Sequence, residues 1–256
     1  MYNQQTLFEA LKPFAGMVID QSKGVTVSDL TFASAQDFYS TCNIPFTAGT
    51  LVIGAGSTQN LFQNDVGQLG QGYAIRPLDI STTNNRNGNK MQANNVYIAT
   101  HLGWSCFGTS TVNEAPIPID NAMTMWAATN NMSWSLEVGG GILRTLGLIR
   151  EYPAGSGASV GGAAGGTNLV PASVSLGNRA TAANGALLCP KRKLPIPIVF
   201  PPNITVAIAV TSGGAVTVLD NLGQGLGIAG GPVQSLVGGG LAYKATFTGF
   251  QMTLPV

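Results

Sequence analysis

Few residues in this chain have the types and spacing that chemistry requires. Gly157-Ala158-Ser159-Val160-Gly161 spells GxSxG, the turn that lifts a nucleophilic serine between a strand and a helix. That elbow needs an Asp and then a His downstream to take up the serine proton, and the one histidine, His101, lies upstream. The text around Ser159 is Gly- and Ala-rich, which reads as loop, so no hydrolase is expected and His101 is read as a polar spot on a strand. Gly225-Leu226-Gly227-Ile228-Ala229-Gly230 spells GxGxxG after a strand-like run. A dinucleotide site also needs a helix after the glycines and an acidic residue about 20 positions on. Gly231-Pro232 breaks any helix there, and no Asp or Glu follows Asp220. This match is a product of Gly-rich sequence.

Metal chemistry finds no better footing. Cys42, Cys106 and Cys189 are an odd number of thiols without a CxxC spacing, and they read as small buried residues in a reducing compartment. The 11 carboxylates are scattered, with no pair placed for acid–base work. Asp65, Asp79 and Asp120 are the candidates for Ca²⁺ held between subunits, because hard cations take loop carboxylates and carbonyls; a solvated turn is the alternative for each. No other cofactor is expected. Lys191-Arg192-Lys193 is the sole basic cluster, open to genome or lipid phosphates or else a solvated loop before a strand. Trp104, Trp126 and Trp134 read as core residues, since no basic residues interleave with them as in a nucleotide-stacking platform. Sequence-specific nucleic-acid binding is not expected, and the glycosylation sequons at Asn131 and Asn203 carry little weight beside an N-terminus that lacks a secretory pattern.

Composition narrows the class. Of 256 residues only 9% are charged, with a net charge of +1, against roughly 25% charged in ordinary soluble domains. Mean hydropathy is +0.23. A chain so poor in charge either enters a membrane or has much of its surface covered by neighbours. The uncharged windows 152–178, 194–219 and 221–243 are broken by glycine or proline, so none is the run of about 20 large apolar residues that a spanning helix needs. The 34 glycines, with many Asn, Thr and Ser, suit turns and strands.

The elements follow the same logic. QQTLFEALK, residues 4–12, is the best helix, with Leu7, Phe8 and Leu11 on one face and Pro13 as its stop; so short a helix needs a docking surface. Val25 to Leu30 alternates with period two. Asn95 to Phe107 reads as a long strand pair, Ile119 to Asn130 as a short helix, and Met132 to Val138 and Ile142 to Ile149 as strands around Gly139-Gly140-Gly141. Asn87-Gly88 is the strongest short turn signal. Residues 153–190 and 221–240 are Gly-rich excursions with side chains too small for a core. In Lys191 to Ser212, four prolines forbid a helix, which leaves a strand interrupted at an edge or bulge, then a β-branched buried strand at Val206 to Val210. Ala215 to Leu219 and Tyr243 to Thr253 complete the strands. The class is all-β, a sandwich or barrel, without a βαβ rhythm.

Three stretches carry a resemblance. They are Leu61-Phe62, Gly67-Gln68, Asp79 and Asn87-Gly88 leading into Val96-Tyr97-Ile98; the Tyr152-Pro153-Ala154-Gly155-Ser156-Gly157 loop; and the Leu194-to-Val210 corner with the closing Ala245-Thr246-Phe247-Thr248-Gly249-Phe250 strand. In order and composition the chain resembles the jelly-roll major capsid proteins of small icosahedral bacteriophages, including membrane-containing ones. The resemblance implies a viral jelly-roll sandwich, with two tandem jelly rolls at 15–130 and 131–256 after an N-terminal arm at 1–14. One jelly roll with long Gly-rich loops is the alternative. It further implies a structural protein, not an enzyme, that self-assembles as trimeric capsomers into a virion shell around the genome. Its partners would be itself, a vertex penton and, under the Leu7/Phe8/Leu11 face, an internal lipid membrane, with assembly in the host cytoplasm. The competing expectation is a β-sandwich binding module, such as a carbohydrate- or receptor-binding spike domain.

Overall fold

In a computed structural model the chain is described at residues 12, 15–16, 18–20, 24–29, 31–45, 51–53, 56, 58–85, 90–91, 94–109, 113–117, 130–152, 191–214, 216–218 and 240–254. Apart from Lys12, the 4–12 helix with its Leu7, Phe8 and Leu11 lies outside them. So do Asn87-Gly88, Asp120, Trp126, Cys189, both glycine motifs and the excursions up to Lys191 and Gly240.

The described chain is β with almost no helix. Its strands are β1 (Val18–Asp20), β2 (Val25–Thr26), β3 (Thr31–Pro45), β4 (Leu51–Ile53), β5 (Thr58–Leu61), β6 (Asn95–Thr109), β7 (Pro116–Ile117), β8 (Met132–Val138), β9 (Gly141–Leu148), β10 (Arg192–Phe200), β11 (Val206–Ser212), β12 (Val216–Val218) and β13 (Gly240–Thr253). Two antiparallel sheets dominate, ordered β10-β6-β13-β3, with β7 beside the end of β6, and β5-β11-β8-β9. Each sheet takes strands from both sides of residue 130.

The pairings are nested. β3 pairs with β13, β4 with β12, β5 with β11, β6 with β10, and β8 with β9. The innermost pair is a hairpin whose Val138 and Gly141 face each other across Gly139 and Gly140, with φ of 71° and 78°. Two successive positive φ values make the tight turn whose twist matches the strands, and glycine reaches them without steric cost. The outermost pair is the longest: β13 pairs with β3 from Gly240↔Pro45 to Thr253↔Thr31, with one register shift between Gln251 and Met252, while pairing β6 on its other side.

Alternation places the core between the sheets. Leu102, Trp104 and Cys106 of β6 and Tyr243, Ala245 and Phe247 of β13 turn inward, as do Met132, Trp134 and Leu136 of β8 and Val206, Ile208 and Val210 of β11. Aromatic rings join them. Phe200 meets Phe247 edge-on at 5.2 Å, and Trp104 of one sheet lies 6.1 Å from Trp134 of the other. A smaller cluster of Val96, Ile98 and Met252, with Phe250 and Val199 packed on it, is covered by Val27.

Several strands match the sequence reading closely, among them β8, β9, β11, β12 and β13. Three differ. Thr31–Pro45 is a full 15-residue strand where no strand was expected, because its inward face mixes Ser40 and Cys42 with Phe38 and Ile44 and so hides the period. Asn95–Thr109 is one strand of 15 residues instead of a strand pair; its two glycines, Gly103 and Gly108, do not turn it because β13 holds it along its length. Pro116 and Pro118 suit a loop by their chemistry, yet Pro116–Ile117 is the two-residue strand β7.

Strand β3 is a sheet edge, and the segment between β5 and β6 covers it. Asn84 donates from its backbone to the Tyr39 carbonyl at 3.1 Å and from its side chain to the Asp37 carbonyl at 2.6 Å. Tyr39 N–H donates to Asn84 Oδ1 at 2.9 Å, and Asn43 N–H to the Gln71 carbonyl at 2.9 Å. Edge groups that would otherwise recruit a foreign strand are thereby used within the chain. The close approach depends on Gly72, with φ of 76°, where an added Cβ would stand 1.7 Å from the Asn43 carbonyl oxygen. Gly72→Ala is expected to cost about 2–4 kcal/mol, from overpacking plus left-handed backbone strain. Denaturant unfolding at constant m-value checks this; an unchanged midpoint would contradict the packing described.

Candidate functional site

The outward face of the β10-β6-β13-β3 sheet gathers most of the basic cluster. Register places Lys193, His101, Thr248 and Asp37 in one line across β10, β6, β13 and β3. Lys191, just before β10, reaches over this line: its Nζ donates to Asp37 Oδ2 at 2.7 Å and to Thr248 Oγ1 at 2.6 Å. The Thr248 hydroxyl in turn donates to Asp37 Oδ1. Both charges are partly exposed, 26% for Lys191 and 42% for Asp37, so water screens the pair and its net worth is about 0.2–1 kcal/mol. His101 is half-buried, with its Nδ1 2.9 Å from the Thr100 hydroxyl. Burial first, then the Lys193 and Lys191 charges, hold its pKa below the ordinary histidine value.

Arg192 goes elsewhere. Its guanidinium lies 4.8 Å over the Tyr152 ring and donates to the Glu151 carbonyl at 3.4 Å. The basic triplet, open in sequence to phosphates or to a solvated loop, is split: Lys191 is tied to a carboxylate, Arg192 is stacked on an aromatic ring, and Lys193 stands exposed opposite His101.

The acidic candidates do not converge. Asp79 accepts from the Arg76 guanidinium, from Ser81 N–H at 2.9 Å and Ser81 Oγ, and from Thr82 N–H at 3.2 Å. Burial raises its pKa, but the Ser81 and Arg76 hydrogen bonds outweigh that and hold the carboxyl well below the usual range. Its oxygens serve a turn. Asp65 donates its N–H to Gln68 Oε1 at 3.1 Å, in a turn of its own. No group of three or more metal-ligating side chains occurs among the described residues.

One buried carboxylate escaped the sequence reading. Glu114, wholly buried with φ of 53°, accepts the backbone N–H groups of Ala74, Ile75 and Arg76 at 2.9–3.1 Å. Three consecutive donors form an anion-binding nest, and here the anion belongs to the chain. Glu114 thus ties the segment after β6 to the segment that covers β3. No local signal marks it, since its partners are backbone groups about 40 positions away.

The thiols Cys42 and Cys106 are buried, as their types suggested. They flank Tyr243 on β3 and β6, two strand spacings or about 9.5 Å apart, too far for a disulfide. Burial pushes the Cys42 thiol up to about 12 and raises Cys106 too, so neither is a nucleophile. Trp104 and Trp134 are core residues, with Tyr152 edge-on to Trp134 at 5.3 Å.

Among the described residues the surface presents several exposed apolar side chains. Between Lys193 and Ile198, β10 leaves β6 in a bulge, and Ile196 stands 73% exposed at its crest between Pro195 and Pro197. Across the sheet, the segment covering β3 exposes Leu69, Ile75 and Ile80. On the other sheet, the outward residues of β8 and β11 are Ser133, Ser135, Glu137, Ala207, Ala209 and Thr211, a flat face with one charge. No described helix is long and apolar enough to cross a membrane. No family model matches the chain, and no curated protein matches it either.

Two outcomes follow from these contacts. Glu114→Ala strips the acceptor from three part-buried backbone donors and should cost about 1–3 kcal/mol, read as a lower denaturation midpoint; an unaffected midpoint would contradict the nest. Cys42 and Cys106 should resist iodoacetamide in the native protein and react once it is unfolded, as followed by peptide mass spectrometry. Rapid alkylation of either thiol in the native protein would contradict its burial.

Proposed function

We propose that this chain is a structural, shell-forming protein: a jelly-roll major capsid protein that assembles through its flanks into an icosahedral particle. The observation that carries the reading is the nested strand order. Four nested antiparallel pairs, each enclosed by the next, make one long ribbon, and folding that ribbon over itself distributes β3, β6, β10 and β13 to one sheet and β5, β8, β9 and β11 to the other; the fifth pair, β4 with β12, forms a small sheet of its own. Eight strands in two four-stranded sheets are the make-up of a jelly roll, an architecture of viral capsid domains and also of lectins. Within this reading the single jelly roll with long Gly-rich loops is favoured over two tandem ones, because both sheets combine strands from residues 15–130 and 131–256.

Composition supports the choice of capsid over lectin. With 9% charged residues, most described charges are used inside the fold, and the flanks present Ile196 on one side and Leu69, Ile75 and Ile80 on the other. Such flanks suit burial against further copies, where about 800 Å² per partner makes a stable contact. Trimeric capsomers, a vertex penton partner and an internal membrane under the N-terminal arm belong to this proposal, as does a virion location after assembly in the host cytoplasm.

Negative-stain electron microscopy of the purified protein, beside its Ile196→Asp variant, tests the reading. Closed particles from the parent chain are expected. The variant should form few of them while its thermal unfolding stays within about 0.5 kcal/mol of the parent, as for other exposed positions. A parent chain that stays monomeric under assembly conditions would overturn the capsid reading and favour a binding module.

A further inference from the structure

We propose that His101 is an acid-triggered release for the entry of β10, which begins at Arg192. The entry is lightly held. Before the bulge, β10 has only the register pairs Arg192↔Leu102 and Lys193↔His101, and pairing resumes at Ile198↔Ala99. Lys191 secures this short block by lacing it across the face to Thr248 and Asp37.

His101 sits inside that lacing. On the β10 side it faces Lys193, its register partner, and the charge of Lys191. From β13 it faces Thr248, with Asp37 of β3 next in line, and on its own strand the Thr100 hydroxyl. The neutral ring, beside the charges of Lys193 and Lys191, leaves Asp37 to Lys191. Once protonated, it joins them as a third cation beside a single carboxylate. Like charges at neighbouring cross-strand positions repel, and the contact relieved most easily is the partly exposed Lys191 bridge. The entry of β10 then lifts while β6, β13 and β3 keep their register.

The sign of the pH effect follows from the lowered histidine pKa. The unfolded or released chain binds the proton more readily, so the clasp is at full strength above the ordinary histidine value of 6.5 and is lost as the pH falls from there through the folded value. The inference concerns the chain itself and stands apart from any assembly.

Hydrogen–deuterium exchange of the intact protein at about pH 7.5 and about pH 5, corrected for intrinsic exchange, reads the release directly. Protection in a peptide spanning 191–194 should fall by about tenfold on acidification, while peptides from 241–247 hold theirs. His101→Gln should abolish the drop, Lys193→Gln should shrink it, and Asp37→Asn should expose the entry at both pH values. An equal loss in His101→Gln, or no loss in the parent chain, would overturn the proposal. Should His101→Gln fail to fold, the parent chain still decides. It has one histidine, whose ring resonances give an unambiguous NMR titration. A midpoint below 6.5 that coincides with the exchange step supports the release, and a midpoint at or above 6.5 overturns it.

Discussion

The pairing of β13 with β3 is the constraint on which the rest of the molecule depends. It joins residues about 200 positions apart, as in the Thr248–Asp37 hydrogen bond across 211 positions. Closing such a loop carries a heavy entropic cost before any contact rewards it, although each doubling of length adds only about 0.6 kcal/mol. The reward comes all at once, because β13 pairs along its length with β3 on one side and β6 on the other. With that closure made, the inner pairs are enclosed in turn down to the Gly139-Gly140 hairpin. The long-range pairing predicts slow folding, as expected for high contact order.

Scarce charge is the second organising fact, and it explains why individual polar contacts carry so much. Lys191 and Asp37 tie the start of β10 to β13 and β3. Glu114 fixes the segment that covers β3 by accepting three backbone donors. Lys244, 4.0 Å over the Tyr39 ring, donates to the Ser81 carbonyl at 2.7 Å and pins the same segment from β13. Charges that an ordinary domain would spend on solubility are here spent on holding segments to the sheets. The outward surface carries few charges, among them Glu137 and Lys193, between small polar and apolar side chains. A fold so arranged gains by covering its flanks, which links the energetics of the monomer to the assembly proposed for it.

The legible part of the fold was the part where side-chain period and backbone chemistry agree. Val206 to Val210 and Met132 to Val138 alternate cleanly and are strands at those positions, and the prolines of 195–202 announced an interrupted edge strand, which β10 is. The glycine run at 139–141 marked its turn. β3 was hidden because Ser40 sits in the core face, where its hydroxyl accepts from Phe62 N–H at 3.0 Å; an inward polar residue with a distant partner breaks the period. Glu114 and Asp37 were invisible for the same reason: their roles are set by backbone or side chains brought near only by the nested pairing. The basic triplet was seen as a unit in sequence, yet alternation and the strand start send its three side chains to different partners.

The central claim is that this chain is built to be covered by copies of itself, and sedimentation velocity over a graded concentration series tests it most directly. The account predicts a monomer boundary that gives way, above a threshold concentration, to fast-sedimenting closed particles with little in between. A single monomer boundary that keeps its sedimentation coefficient across the series would contradict it.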